Sequence, residues 1–293
     1  MERDSFAYKT RRKFQTLAYH VLPHDLLSKI YFKIYLHEDM DLENPKKFNE
    51  KLQWLKLKYN STNPLVVQCA DKYAVRSYIE EKGYGDTLTK LIGVWERAED
   101  IDWDQLPDKF VLKCTHGCAY NILCSDKESF DKKAAVKQLN GWLKENFAAF
   151  NVELHYGEIK PRRIICEEYL GDVITDYKFF CFNGEPKFFY VSSDLVHDRQ
   201  AEVGFFNMDG SKMPMVRDDY KDIGEIKMPE CLPEMIEASK VLSREFPFVR
   251  VDFFLIGDEY KFAELTFTPG ACMMPLNPKK YDDEWGAMLE LPR

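Results

Sequence analysis

The chain has 293 residues, 45% of them apolar and 31% charged, with a formal net charge of −8. That length and apolar content can bury a sizeable core in one large domain or two smaller ones. The acidic balance argues against a nucleic-acid binder, which needs a basic surplus, and no stretch approaches the roughly 18 apolar residues that cross a bilayer.

The start, MERDSFAYKTRRKF, lacks the apolar run of a signal peptide, and the first 60 residues read as helical. The Arg11-Arg12-Lys13 cluster beside Phe14, Leu17 and Tyr19 is open to two readings, a solvated basic helix end or a contact with an anionic membrane surface. Within 44–60, Phe48, Leu52, Leu55 and Tyr59 recur at three- to four-residue spacing on one helix face. Asn63-Pro64 is expected to break that run. Segment 69–86 reads as a capped helix, with Asp71 at the N-cap, Val75, Tyr78 and Ile79 as its buried stripe, and Gly83 at its end. From 110 the pattern turns to strand: FVLKC, a polar loop THGCAYN, then ILC, followed by a helix over 131–147. Segment 162–172 is a strand running into a connector. Segment 176–191 is a hairpin, with Asn183-Gly184 between two aromatic-rich alternating runs. A polar, Met-rich stretch (207–230) and a helix over 232–245 precede two closing strands, FVRVDFFLI (248–256) and YKFAELTFTPGACMMP (260–275). Helices and antiparallel strands in alternating blocks predict an α+β fold.

Of eight cysteines, several sit inside apolar runs, as in ILC (122–124), IIC (164–166) and FFCF (179–182), and none forms a CxxC pair. They predict buried, reduced thiols rather than disulfides or a zinc site, and hence a cytoplasmic protein.

The closing strands carry the chemistry. In FVRVDFFLI, Val249, Val251, Phe253 and Leu255 take one face and leave Arg250 and Asp252 together on the other. In the next strand Glu264 and Thr266 share a face. A three-residue loop, Gly257-Asp258-Glu259, sets Asp252 opposite Glu264 and Arg250 opposite Thr266. A two-residue Gly-Asp turn sets the carboxylates on opposite faces. The first register flanks one point with two carboxylates and a guanidinium, which suits a hard divalent cation bound to phosphate. A plain cross-strand ion pair of Arg250 with Asp252 or Glu264 explains the spacing equally well. The tight Pro269-Gly270 segment that follows, fit to hold backbone close to a ligand, favours the site.

RVDFFL…ELTFTPG resembles the closing segment of D-alanine–D-alanine ligases and other ATP-grasp enzymes, where an Arg-x-Asp strand precedes a Glu-x-Asn…Pro-Gly strand. The resemblance implies that Asp252 and Glu264 are magnesium ligands and that Arg250 is the catalytic contact to the transferring phosphate. Thr266 stands where the family has its metal-binding Asn, so a hydroxyl takes that place. The resemblance also makes Lys72, in the Asp-Lys opening the 71–82 helix, the first ATP-binding lysine, and Lys113, ending FVLK, the second. Lys178, sharing a hairpin face with Asp176, is a further phosphate candidate. THGCAYN sits where a glycine-rich loop covers the phosphates; Gly117 is its one glycine, and His116 and Asn121 could donate instead. ICEEYL (165–170) resembles the hinge that receives adenine, with the backbone of Glu168, Tyr169 and Leu170 on the base edge and Glu167 on the ribose or adenine side.

Over roughly residues 40–290, the order of NPKKFNEKLQWLKL, DKYAVRSYIEEKG, FVLKCTHG, DYKFFCFNGEPKFFYV, FVRVDFF and FAELTFTPGA is similar to the TupA-like ATP-grasp family. That family is named for a teichuronopeptide-biosynthesis protein and is associated with bacterial surface polysaccharides. The resemblance implies two lobes with antiparallel sheets clamping ATP: a helical segment over 1–65, a first lobe over 66–170 and a second, metal-bearing lobe over 171–293. It implies an ATP- and magnesium-dependent ligase that turns a carboxylate, such as a uronic acid of a capsular or cell-wall glycan, into an acyl phosphate and joins it to an amine. Two other readings stay open. One is a polysaccharide glycosyltransferase, which has no use for the paired lysines; the other is a nucleotide-binding protein without catalysis, suggested by Thr266 and the glycine-poor loop. Substrate choice is expected to reside in the loops 192–230 and 271–282.

Overall fold

The computed structural model describes residues 6–171, 174–193, 202–217 and 220–292. Two helices, α1 (Phe6–Val21) and α2 (His24–Leu36), open the chain as a hairpin turned at Leu22-Pro23. The run expected over 44–60 appears as α3 (Phe48–Trp54) continuing into a π-helical turn, Leu55–Tyr59. Glu50 fixes its start, because its carboxylate accepts from the backbone of Asp41, Lys46 and Lys47 (3.1, 3.0 and 3.1 Å). Asn63-Pro64 ends that run and begins another, α4 (Pro64–Ala70). The Asn63 side chain accepts from the Leu65 N–H (3.0 Å), and proline is tolerated in a first helical turn. Asp71 accepts from the N–H groups of Tyr73 and Ala74 as a cap would, yet helix α5 itself runs Val75–Glu81.

β1 (Leu91–Trp95), β2 (Phe110–Cys114), β3 (Asn121–Cys124) and β4 (Ile164–Glu168) form an antiparallel sheet in the order β1-β4-β2-β3. β1 is not among the expected elements; LIGVW is short, shows no polar–apolar alternation, and is defined by its pairing with β4. Between β3 and β4 lie α6 (Lys132–Lys144), capped by Asp131, and the short helices α7 (Ala148–Asn151) and α8 (His155–Glu158).

The second sheet contains β5 (Thr175–Phe182), β6 (Glu185–Ser193), β7 (Glu202–Asn207), β8 (Lys221–Asp222), β9 (Phe248–Ile256) and β10 (Glu259–Thr266). Their order is β10-β9-β5-β6-β7-β8, antiparallel except between β7 and β8. Asn183 and Gly184, with φ of 50° and 81°, make the expected tight turn of the β5–β6 hairpin. One face of the sheet packs Phe179, Val249, Val251 and Phe253 against Met235, Ala238 and Leu242 of α9 (Leu232–Ser243). On the other, Phe180, Phe182, Phe188 and Phe248 pack beneath Phe48 of α3 and Trp285 of α10 (Lys280–Met288). All eight cysteines are free thiols, and seven are buried. Among the described residues no helix is long and apolar enough to cross a membrane.

Candidate active site

β9 and β10 align Asp252 with Glu264 and Arg250 with Thr266, by a different route from the one expected. The turn has two residues, since Ile256 pairs with Glu259 across Gly257 (φ 61°) and Asp258. Alone, that turn would send the two carboxylates to opposite faces. A β-bulge between Phe262 and Glu264 restores the alignment, with Ala263 as the extra residue. In an unbroken strand Phe262 and Glu264, two residues apart, share a face. The bulge separates them: Phe262 and Leu265 join the core behind α9, and Glu264 and Thr266 join the charged side.

On that side Arg250 grips Asp252 through Nε and Nη2 (2.7 and 2.6 Å), and Nη2 also donates to Thr266 Oγ1 (3.0 Å). The Thr266 hydroxyl donates in turn to Glu264 Oε1 (3.0 Å), which stands 3.6 Å from Arg250 Nη2. From β5, Lys178 Nζ reaches Asp176 (2.9 Å) and Asp252 (3.2 Å). The cross-strand ion pair therefore exists, but it is buried: the Asp252 side chain has no exposure, while that of Glu264 keeps 35%. Buried charges are costly unless closely paired, and this group is paired throughout. Burial alone would raise the Glu264 carboxyl, yet Lys72, Lys178 and Arg250 outweigh it and hold it down at about 2, ionised at neutral pH. At Asp176 burial prevails over Lys178 and pushes the carboxyl up.

The four-stranded sheet supplies the facing wall. Lys113 Nζ lies 2.7 Å from Glu167 Oε2, and Arg76 Nη1 lies 3.2 Å from Glu167 Oε1. Lys72 Nζ donates to the Gly117 carbonyl (3.0 Å) and stands 3.8 Å from Glu264 Oε2, so it spans both walls. Between the walls lies a cavity of about 300 Å³, ionic at Lys72, Lys113, Lys178, Glu167 and Glu264, and apolar at Leu88, Phe254 and Phe262. Arg76 and Asp176 also line it but are not among the expected site residues. Arg76 is four residues after Lys72, the spacing of helix neighbours in the helix expected over 71–82, although Lys72 lies in the turn before α5.

Two expected contributors lie elsewhere. His116 is fully buried with Nε2 against the Trp142 carbonyl (3.0 Å), and burial lowers its pKa to about 4. Its ring therefore points away from the cleft, while Asn121 of the same loop lines it. Gly117 serves close packing rather than an open cradle, since a Cβ there would sit 2.7 Å from the Phe147 ring. The expected hinge is divided. Glu167 faces the cleft, but Glu168 exchanges hydrogen bonds with the Lys90 backbone (3.1 Å from its N–H, 2.9 Å to its side chain), so that N–H is already taken. Glu168 and Tyr169 line a separate cavity of about 560 Å³, and Leu170 lines neither. Of the loops expected to choose the substrate, 194–201 and 218–219 lie outside the described residues.

Asp252 and Glu264 are the pair that could hold a divalent cation. Among the described residues no group of three or more His, Cys, Asp or Glu side chains is arranged for a metal. Glu264, partly exposed on the cavity, suits an ion such as magnesium, which takes one or two carboxylates and completes its shell with phosphate and water. Both Asp252 oxygens are held by Arg250 and Lys178, so Asp252 would join it only as those contacts yield. Thr266, expected as a third ligand, has its hydroxyl engaged by Arg250 and Glu264, which makes it an orienting group for Glu264.

A profile of the family described as TupA-like ATPgrasp matches residues 50–290. No curated protein matches the chain. Among solved structures it is similar to N5-carboxyaminoimidazole synthase from Aspergillus clavatus, at 13% identity over 69% of this chain and 45% of that one, with a TM-score of 0.43. It is also similar to D-alanine–D-alanine ligase from Helicobacter pylori (12% identity, 84% and 70% covered, TM-score 0.45). A third is L-amino acid ligase from Bacillus licheniformis (12% identity, 85% and 55% covered, TM-score 0.45). The chain thus spans about half the length of the synthase and of the amino acid ligase.

Proposed function

The chain belongs to the TupA-like ATP-grasp family, and on that footing we propose that it is a magnesium- and ATP-dependent ligase joining a carboxylate to an amine. The observation that carries this reading is the convergence of Lys72, Lys113, Lys178 and Glu264 on one cavity, with Arg250 and Asp252 bonded directly behind Glu264 and Lys178. Three ammonium groups from different segments suit a triphosphate. Leu88, Phe254 and Phe262 suit the base, with Glu167 on its ribose side.

Asp252 and Glu264 would hold magnesium, which when bound supplies positive charge to the phosphate oxygens. Lys72 exchanges the Gly117 carbonyl for phosphate, and Lys113 leaves Glu167, whose charge Arg76 continues to balance. Arg250, locked in orientation by Asp252 and Thr266, meets the charge that develops on the transferred phosphoryl group. The substrate carboxylate oxygen attacks the γ-phosphorus and ADP leaves. The amine nitrogen then attacks the acyl carbon, and phosphate departs as the nitrogen loses its proton.

We assign the carboxylate to a uronic acid of a capsular or cell-wall glycan; the family's association with surface polysaccharides supports this. ATP consumption together with buried, reduced thiols fits the cytoplasm. A panel of uronic acids crossed with amines, followed by ADP release, tests the reading. One pair is expected to give ADP and phosphate in equal amounts. Release of a nucleoside diphosphate from a sugar donor without ATP would install the glycosyltransferase instead, and ATP binding without turnover across the panel would leave a nucleotide-binding protein.

A further inference from the structure

The first helix of the opening hairpin reverses the usual amphipathic arrangement. The inner face of α1 holds polar groups: buried Gln15 donates to the Phe150 carbonyl (2.6 Å), and the Arg12 guanidinium lies over the Phe150 ring (3.6 Å). Its outer face carries Phe14, Leu17 and Val21, which are 69%, 62% and 68% exposed. Leu26, Ile30 and Ile34 are exposed along α2. Spacings of three and four place each trio in one row. Arg11 bonded to the Tyr35 hydroxyl at one end and Tyr19 stacked on His24 (4.4 Å) at the other hold the helices antiparallel, so the rows adjoin. Leu27, Tyr31 and Phe32, packed with Ala18 and Leu22, occupy the opposite, inner side. Single exposed apolar residues are ordinary; six in two adjoining rows mark an interaction surface.

Charge identifies the partner. From Phe6 to His37 the sequence holds six lysines and arginines and a single acid, Asp25, in a chain whose net charge is −8; of the six, Lys33 is paired with Asp39 just beyond (2.9 Å). Asp25 is itself paired with Lys58 (2.6 Å). Lys13 and Lys29, both exposed, adjoin the rows. A second copy of this chain would set cation against cation across such a face, whereas an anionic surface meets it with opposite charge.

We propose that the outer face of the α1–α2 hairpin docks on an anionic lipid bilayer, its apolar rows at the headgroup–acyl boundary and its lysines among the lipid phosphates. The inner face shares a cluster with Ala271 and Met273, in the segment that follows Pro269-Gly270. Docking would therefore hold that segment, which follows the strand carrying Glu264, just above the membrane-facing hairpin.

Sedimentation of the full chain with vesicles tests this, comparing phosphatidylcholine alone with phosphatidylcholine carrying phosphatidylglycerol. Binding is expected on the anionic vesicles, weakened by salt and largely absent on phosphatidylcholine alone. Leu17→Asp with Ile30→Asp should abolish it. Lys13→Gln with Lys29→Gln should weaken it about 25-fold, about fivefold per charge removed. Both pairs lie at exposed positions, so melting and ATP binding should match wild type. The proposal is overturned if the wild-type chain ignores anionic vesicles, binds both kinds equally, or binds unchanged in either variant. Light scattering that shows a dimer dissolved by Leu17→Asp would also overturn it, by assigning the face to a second copy.

Discussion

β5 and β9 run along one face of the six-stranded sheet, and a single two-residue step on either strand changes what that face does. At one end Phe180, Phe182 and Phe248, with Phe188 of β6, pack beneath Phe48 and Trp285. At the other, Asp176, Lys178, Arg250 and Asp252 form a continuous chain of ion pairs. Strand geometry is common to both ends; the cover differs. Helices α3 and α10 roof the aromatic end, while the ionic end opens onto the cleft and the four-stranded sheet. Tyr190 stands at the border, 5.8 Å from the Phe180 ring and 5.6 Å from the Arg250 guanidinium. A sheet face is thus divided by what lies over it, and the two ends should answer mutation differently, one in stability and the other in turnover.

The largest effect should come from the roof. Trp285 is buried and stacks on Phe188 at 4.0 Å. Trp285→Ala should cost about 3–5 kcal/mol in denaturant unfolding while leaving ATP affinity of the folded chain unchanged; a large loss of affinity at native stability would dissolve the distinction between the ends. Arg250→Lys should do the reverse. It replaces the guanidinium proposed to meet developing charge and should slow ADP formation about 100-fold, near 3 kcal/mol, with ATP affinity nearly intact. Wild-type turnover in that variant would make Arg250 a structural ion-pair partner only.

Smaller effects sharpen the contrast. Lys113→Met should raise the Kd for ATP roughly tenfold to a hundredfold, the worth of a charge-assisted hydrogen bond, with little change in melting because Arg76 still neutralises Glu167. An unchanged Kd would place the phosphates away from the four-stranded sheet. Beyond both ends, His155 is fully buried, and neither ring nitrogen has a hydrogen-bond partner among the described residues. Burial holds its pKa at about 3, against 6.5 for an ordinary histidine. The unfolded chain takes up this proton below pH 6.5 and the folded chain does not until about pH 3, so stability present above 6.5 is lost progressively as pH falls through that window. The slope should approach about 1.4 kcal/mol per pH unit. His155→Phe should flatten it, and an unaltered slope would assign the loss to other groups.

Much of this was legible from residue order. Alternation in FVRVDFFLI separated Arg250 and Asp252 from the core, and Asn183-Gly184 marked its hairpin, because both rest on period-two geometry and turn chemistry that a few residues determine. The Asp252–Glu264 pairing was legible in outcome but not in cause. A two-residue turn plus a bulge gives the same partners as a three-residue loop, and only the need to bury Phe262 while exposing Glu264 selects between them. His116 and Glu168 are engaged away from the cleft for a shared reason. A polar residue in a loop looks available in sequence, whereas the Trp142 carbonyl and the Lys90 backbone, distant in the chain, had already engaged His116 and Glu168. β1 was invisible because its pairing with β4, some 70 residues away, defines it.

The proposed magnesium site for ATP, Glu264 with Asp252, lies at the open, ionic end of the sheet. Calorimetric titration of ATP into the full chain, with and without magnesium and with Glu264→Gln alongside, addresses it most directly. Magnesium should tighten ATP binding to the wild type by about tenfold or more, at least 1.4 kcal/mol, and Glu264→Gln should erase that gain while keeping its native fold. Equal ATP affinity with and without the metal, or a gain that survives Glu264→Gln, would contradict the account.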